Sequence, residues 1–215
     1  MIMQLDAAEA RALGSLVEKS VTTREQYPLT FNSLLAACNQ KSSRDPLMQL
    51  DAESLGRAVQ GLIEKGLAER VQAPGDRVPK FRHDAGRLFG TDDQKVIGLM
   101  TLLLLRGPQT AGEIKGRAER LCEFASTAEA EGLLQRLCAA PEPMVGRAPR
   151  QPGQKEGRYR HLFSGDAAPV AASPAVQPAV QPPAQPDALA ALEARVAALE
   201  TQVRMINEKL QGPAA

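Results

Sequence analysis

One short pattern of side chains occurs twice in this chain, about one domain length apart. The first copy is Lys80-Phe81-Arg82-His83 and the second is Arg158-Tyr159-Arg160-His161. Each copy closes a stretch rich in Pro and Gly, and three segments with helical periodicity precede each stretch. Short extended pieces around a Pro/Gly turn are typical of a β-hairpin. The repeat therefore predicts one fold, three helices followed by a hairpin, present in two copies.

Helix starts are indicated by capping residues. Four of them stand three positions before Glu or Gln, a spacing that satisfies free N–H groups of a first helical turn, and two lack that return partner. Apolar residues recur behind the caps at helical spacing. The predicted helices are Asp6–Ser20, Thr30–Asn39, Asp51–Lys65, Thr91–Arg106, Thr110–Leu121 and Ser126–Ala139.

The strands of the two hairpins are predicted to place aromatic and basic side chains on opposite faces. Alternate side chains of a strand point to opposite sides of the sheet. Phe81 and Tyr159 are therefore expected to face the core, and the four basic residues of the repeated pattern to point outward. His83 and His161 share the aromatic side, where we expect hydrogen-bonded structural histidines.

The C-terminal part of the chain has a different composition. Residues 166–187 consist mainly of Ala, Pro and Gln, which predicts a flexible, partly extended linker. Residues 188–211 then carry apolar side chains at alternating steps of three and four, as in the seam of a coiled coil. This seam comprises Leu189, Leu192, Val196, Leu199, Val203, Ile206 and Leu210. The pattern favours a homodimer, and a helix that folds back onto its own domain remains the alternative.

Several stretches resemble one protein family. They are "VTTREQYPLTFNSLLAACNQKSSRDPLMQL" (Val21–Leu50), "LLLLRGPQTAGEIKGRAERLCEF" and "GRYRHLFSG". They are similar to the YceH family of uncharacterised bacterial proteins, over roughly residues 6–165. The resemblance implies a cytoplasmic protein of two winged-helix domains and brings no activity, cofactor or catalytic residue. The predicted fold is thus mainly α with α+β wings, with winged-helix domains at 1–88 and 89–165 followed by the linker and the coiled-coil helix.

Composition and spacing give no indication of an enzyme, a cofactor or a membrane segment. The net charge is +1, from 26 basic and 25 acidic residues, so no overall field marks a nucleic-acid binder. The apolar run Val96–Leu105 is about half the length of a membrane span and predicts a buried helix. Three scattered cysteines and two histidines predict a reducing cytoplasm and no zinc site. In "GPQTAGE", Glu113 stands where a phosphate loop needs Lys.

Basic residues of the hairpins and of one loop are the candidate nucleic-acid-binding residues. They are Lys41, Arg44, Arg77, Lys80, Arg82, Arg147, Arg150, Lys155, Arg158 and Arg160. The third helix of each copy opposes base reading, because its surface is mixed or acidic, with Glu129 and Glu131 in the second copy. The leading hypothesis is a DNA-associated, regulator-like protein that contacts phosphates through its wings. The alternatives are an interaction scaffold that binds proteins, and basic residues that form only a solvated face.

Overall fold

The structure, a computed structural model, describes residues 3–149 and 156–164. The helices of this part are α1 (Ala7–Thr22), α2 (Phe31–Cys38), α3 (Ala52–Glu64), α4 (Ala85–Phe89), α5 (Gln94–Arg106), α6 (Ala111–Ala118) and α7 (Thr127–Ala139). Its strands are β1 (Leu29–Thr30), β2 (Ala68–Val71), β3 (Lys80–His83), β4 (Val145–Arg147) and β5 (Tyr159–His161). The chain is thus mainly helical with two small antiparallel sheets. The predicted linker and coiled-coil helix lie outside the described residues.

The predicted order of three helices and a hairpin is present in both halves. In the first half, α1, α2 and α3 precede the hairpin β2–β3, called here the first hairpin. In the second half, α5, α6 and α7 precede β4–β5, the second hairpin. A further parallel lies just before the middle helix of each half. Leu29 pairs with Phe81 there, and Gln109 makes the equivalent bridge to Tyr159.

Helix capping explains where the helices begin. Asp6 accepts a hydrogen bond from the Glu9 amide at 2.8 Å, and the Glu9 carboxylate accepts one from the Asp6 amide, which confirms the predicted capping box. Thr110 and Glu113 form the same box at α6. At α5 the predicted capping residue, Thr91, is wrong by two positions. The Asp93 carboxylate accepts the hydrogen bond there, so Thr91 caps a preceding turn instead of the helix.

The aromatic residues of the repeated pattern anchor both hairpins, as predicted. Phe81 is 7% exposed and meets Phe31 edge to face, with ring centroids 6.4 Å apart. Tyr159 is 3% exposed. The short helix α4, which the sequence does not predict, ends at Gly90, whose positive φ of 64° suits glycine. It places Phe89 beside Phe163, with centroids 6.0 Å apart.

One hydrophobic core extends through both halves. Helix α1 packs closely on α5, where a Cβ at Gly14 would lie 2.9 Å from the side chain of Leu105. The Leu5 amide donates a hydrogen bond to the Phe163 carbonyl at 2.6 Å, and so joins the beginning of the first half to the end of the second. The predicted boundary at residue 88 falls inside α4, and the division into domains 1–88 and 89–165 stays a prediction.

The apolar run Val96–Leu105 lies within α5, which is 13 residues long and largely buried. The prediction of a buried helix is therefore confirmed. Among residues 3–149 and 156–164, no helix has the length and apolar character needed to cross a membrane.

Candidate nucleic-acid interface

The first hairpin carries two exposed cations of the predicted set, Arg77 and Arg82. Arg77 lies exposed in its turn, and its guanidinium makes no hydrogen bond or ion pair within the described residues. Lys80 pairs with Asp76 at 3.0 Å, and Arg82 pairs with Glu69 at 2.6 Å. The Arg82 pair is more than half exposed, and exposed pairs of this kind contribute only about 0–1 kcal/mol. A phosphate can therefore compete with Glu69 for Arg82, whereas the Lys80–Asp76 pair is less exposed, at 34% and 24%.

Arg70 lies on the other face of the first hairpin from Arg82 and is absent from the predicted set. The register pairs it with Phe81, whereas its neighbour Glu69 pairs with Arg82 on the opposite face of the sheet. Its side chain is exposed and has no partner among the described residues. In "LAERV", the alternation of side chains along a strand could have predicted that Arg70 and the adjacent Glu69 lie on opposite faces. Arg70 and Arg77 together give the first hairpin two exposed guanidinium groups without a carboxylate partner in the described part of the chain.

The two predicted cations of the loop between α2 and α3 differ in their exposure to solvent. Lys41 is exposed and without a partner among the described residues. Arg44 is only 6% exposed, so it does not lie on the surface. Its guanidinium donates to the Ala37 carbonyl and to both carboxylate oxygens of Glu18, the shorter at 2.6 Å. The loop sequence gives no sign of this burial, because the partners come from α1 and α2.

The second hairpin uses its described arginines internally. Arg147 stacks over the ring of Tyr159, 5.5 Å from the centroid, and donates to its hydroxyl. Arg158 donates to both carboxylate oxygens of Glu113, at 2.9 and 3.1 Å, and to the Pro108 carbonyl. Arg160 is half-buried. Arg150 and Lys155 lie outside the described residues.

A hydrogen-bond network continues from this hairpin to α7. The Tyr159 hydroxyl donates to Glu131 at 2.5 Å while it accepts from Arg147. Burial and the Glu131 carboxylate raise the pKa of Tyr159. These three side chains line a cavity of about 380 Å³ beside the first turns of α6 and α7. Glu131 therefore holds the second hairpin in place. The sequence indicates this residue only as an acid that opposes base reading, and the structure gives it a structural partner.

The outward face of α3 offers little to a base edge. Its exposed polar side chains pair with one another, Arg57 with Glu53 and Gln60 with Glu64. Base readers at this position need free Arg, Lys, Asn or Gln donors. The Arg57–Glu53 pair is itself highly exposed, so what opposes base reading here is the charge of Glu53 and Glu64, which a phosphate backbone repels.

The two histidines of the repeated pattern differ. The His83 imidazole makes a 2.9 Å hydrogen bond with the Ser20 hydroxyl, and its Nδ1 accepts from the Ala85 amide, as predicted. His161 stacks on Phe163, and its buried Nδ1 has no hydrogen-bond partner in the described residues, so the expectation of a partner there is not met. Burial and the neighbouring Arg160 lower the pKa of His161 to about 4. Burial also lowers the pKa of His83.

Comparison with known proteins places the chain in a family. A family model described as "Protein of unknown function, DUF480" matches residues 5–154. The chain is 38% identical to a UPF0502 protein of Aeromonas hydrophila, over 98% of both proteins. It is 39% identical to the UPF0502 protein YceH of Salmonella paratyphi B, over 98% of this chain and 96% of that one. The chain belongs to the DUF480/UPF0502 family.

Membership confirms the resemblance to the YceH family and widens it. A UPF0502 protein of Koribacter versatilis is 42% identical over 95% of this chain. The similarity thus reaches into the C-terminal part, beyond the predicted limit near residue 165. In this DUF480 chain, the motif residues that carried the resemblance have structural roles. Tyr27 of EQYPLT accepts from the His83 amide, and Asn39 of ACNQK exchanges two hydrogen bonds with Leu50.

Proposed function

We propose that this protein binds the phosphate backbone of DNA through the first hairpin, with each half acting as a winged helix. The observation that carries the proposal is the exposure of Arg70 and Arg77 without carboxylate partners among the described residues. The hairpin residues 68–83 include four basic and two acidic side chains. Guanidinium groups match phosphate oxygens in charge and geometry. A protruding loop can reach a DNA backbone without entering a groove.

Binding of this kind has a characteristic salt dependence and little sequence preference. Each phosphate that is neutralised adds about 0.9 to the slope of log K against log salt. Arg77 acts with Arg70 on one face of the hairpin or with Arg82 and Lys80 on the other, so one copy of the chain gives a slope of about −2 to −3. The exposed acids Glu53 and Glu64 on α3 support low selectivity between sequences, because a phosphate backbone repels them. Arg150 and Lys155 stay predicted contacts of the second hairpin.

The proposal includes pairing of two copies through the heptads from Leu189 to Leu210. Two hairpins joined in one dimer reach neighbouring phosphates at a high effective concentration, so weak contacts multiply. A regulator-like, DNA-associated protein of this type has no need for a catalytic centre. The alternative, an interaction scaffold without nucleic-acid binding, predicts no salt-dependent affinity for DNA.

The experiment is a fluorescence-anisotropy titration of a short mixed-sequence duplex with the full-length protein, between about 50 and 200 mM salt. We expect Arg70→Ala and Arg77→Ala each to weaken binding and to reduce the salt slope by about one. The matched control is Arg136→Ala, which removes the same charge from the exposed face of α7 and should bind as the parent does. Leu199→Glu, in the heptads, should weaken binding by removing avidity.

Two results would contradict the proposal. One is the absence of binding at the lowest salt concentration, which would favour the scaffold alternative. The other is an unchanged affinity and slope in the Arg70→Ala/Arg77→Ala double variant, which would place any DNA contact elsewhere on the molecule.

A further inference from the structure

A second basic site lies in a cleft between the two halves. The cleft has a volume of about 190 Å³ and is formed by the end of α1, the loop that follows α2, and parts of α5 and α6. Hydroxyl and amide groups of Thr22, Ser42 and Gln40 contribute to its wall. It shares no residue with the first hairpin. The four basic side chains that line it were not predicted as binding residues and are Lys19, Arg106, Arg117 and Arg120.

These cations outnumber the acids near them. Glu18 is the one acidic residue that lines the cleft, and its carboxylate is held by both terminal nitrogens of the buried Arg44. The nearest carboxylate to Arg117 is Glu113, at 3.6 Å, which Arg158 already binds with two shorter hydrogen bonds. Glu18 and Glu113 are thus largely neutralised by arginines outside the cleft.

One arginine of the cleft has no partner among the described residues, and a second has Glu18 and Asp45 nearby but no acceptor for its Nε. Arg120 is exposed and makes no hydrogen bond or ion pair there. The Nε of Arg106 is buried without a hydrogen-bond partner. Burial, with the positive charge of Arg117 as a further cause, lowers the pKa of Arg106. Glu18 and Asp45 offset this repulsion only in part, and a bound anion would offset it further.

We propose that this cleft binds a small phosphate-bearing molecule. Three guanidinium groups and an ammonium group line the cleft from α1, α5, α6 and the turn that follows α6, and guanidinium forks pair with phosphate oxygens through two parallel hydrogen bonds. The volume is below the roughly 300–1,000 Å³ of sites that enclose a drug-sized ligand. The cleft therefore holds a phosphate or diphosphate group, and the rest of the molecule extends into solvent.

The shape of the site favours a small anion over a DNA strand. Lys19 is only 18% exposed, and Arg106 is half-buried, so both lie below the surrounding surface. Backbone phosphates of a duplex meet protruding side chains such as those of the first hairpin. The small ligand instead contacts α1 from the first half and α5 and α6 from the second at the same time. The proposal is independent of DNA binding by the first hairpin.

The test is isothermal titration of the full-length protein with sodium pyrophosphate, followed by inorganic phosphate and ATP. We expect saturable pyrophosphate binding that Arg120→Ala weakens at least tenfold, as loss of a charge-assisted hydrogen bond implies. Arg106→Gln should have a similar effect, and the exposed position of Arg120 keeps the test valid if Arg106→Gln fails to fold. Arg136→Ala and Arg77→Ala should bind pyrophosphate as the parent does. ATP binding tighter than that of phosphate would identify a nucleotide-like ligand, and equal binding would identify free phosphate chemistry.

The proposal is overturned if pyrophosphate gives no binding up to about 10 mM, or if Arg120→Ala leaves its affinity unchanged. It is also overturned if Arg120→Ala abolishes DNA binding and pyrophosphate displaces the duplex, because the cleft is then part of the DNA interface. Failure of DNA binding with intact pyrophosphate binding would refute the proposed function and leave the cleft site standing.

Discussion

The two hairpins share a sequence pattern and use their cations differently. In the first hairpin, Arg82 pairs with Glu69 across the same small sheet, and Arg77 is exposed in the turn. In the second, Arg158 binds Glu113, a residue of α6, with two hydrogen bonds. The basic residues of the first hairpin are held locally and remain accessible. Those described in the second tie the hairpin to helices, so an identical pattern of charge does not imply an identical surface.

The largest predicted effect concerns the aromatic anchors that the hairpins have in common. Phe81→Ala is expected to lower the free energy of unfolding by about 3–5 kcal/mol, and Tyr159→Ala by a similar amount, because both side chains are buried in the shared core. Urea denaturation of the full-length variants measures the two losses. Val78→Ala, in the exposed turn of the first hairpin, is the control and should change little. A loss below about 1 kcal/mol for either variant would show that this side chain does not anchor its hairpin.

The two histidines are expected to differ in how strongly they make the stability of the protein depend on pH. The pKa of His161 is about 4 in the folded chain and about 6.5 when unfolded, so the unfolded state takes up the proton first. His161 therefore leaves the free energy of unfolding unchanged above about pH 6.5. It lowers that free energy as the pH falls from 6.5 towards 4, by about 2 kcal/mol at pH 5.

His161→Phe should remove this loss and leave the smaller pH dependence from His83, whose pKa is also lowered. Urea titrations at pH 7.5 and pH 5 on the parent and the variant test this. A His161→Phe protein that loses as much stability as the parent between the two pH values would contradict the assignment to His161.

Each hairpin is held by a hydrogen bond to a tyrosine hydroxyl. Removal of either hydroxyl is expected to lower the free energy of unfolding by a similar amount. Tyr159→Phe leaves Glu131 and Arg147 without their shared partner. Tyr27→Phe leaves the His83 amide without an acceptor, in a group buried enough that desolvation raises the pKa of Tyr27 to about 12. We expect each variant to lose about 1–2 kcal/mol in urea denaturation. Unequal losses would show that one hydroxyl can be replaced by water.

The smallest predicted difference is between the paired arginines. Arg158→Ala should lower stability by about 1 kcal/mol, because its side chain is 32% exposed and its Glu113 partner 27% exposed. Arg82→Ala should cost less than about 0.5 kcal/mol, because its pair is more than half exposed. Differential scanning calorimetry of both variants decides. Equal melting temperatures would mean that the Arg158 contacts add no more than an ordinary surface pair.

Local signals in the sequence predicted the helices and the inward aromatic residues well. Capping residues such as Asp6 and Thr110 act over three positions, and strand alternation placed Phe81 and Tyr159 correctly. Contacts between distant parts of the chain were not predictable in this way. The sequence places Arg44 among the surface cations, because the Glu18 carboxylate that it binds lies 26 residues away on α1.

The same limit applies to both sites. The cations of the cleft come from α1, α5, α6 and the turn after α6, and nothing in their local sequence indicates that Lys19 and Arg106 line the same cleft. Arg158 was expected to point outward, and it does so only partly because Glu113 lies within reach. For the first hairpin, where partners are neighbours along the sheet, the sequence came closer to the observed surface.

The hydrogen bond between Leu5 and Phe163 bears on how the protein is made. Because a ribosome releases the N-terminal segment first, Leu5 and the start of α1 emerge long before their partner near residue 163 has been synthesised. Helix α1 also cannot pack on α5, whose Leu105 contacts Gly14, until α5 has been synthesised. Such distant contacts slow folding relative to a chain of local ones. The nascent first half therefore carries uncovered apolar surface until translation of the second half is complete.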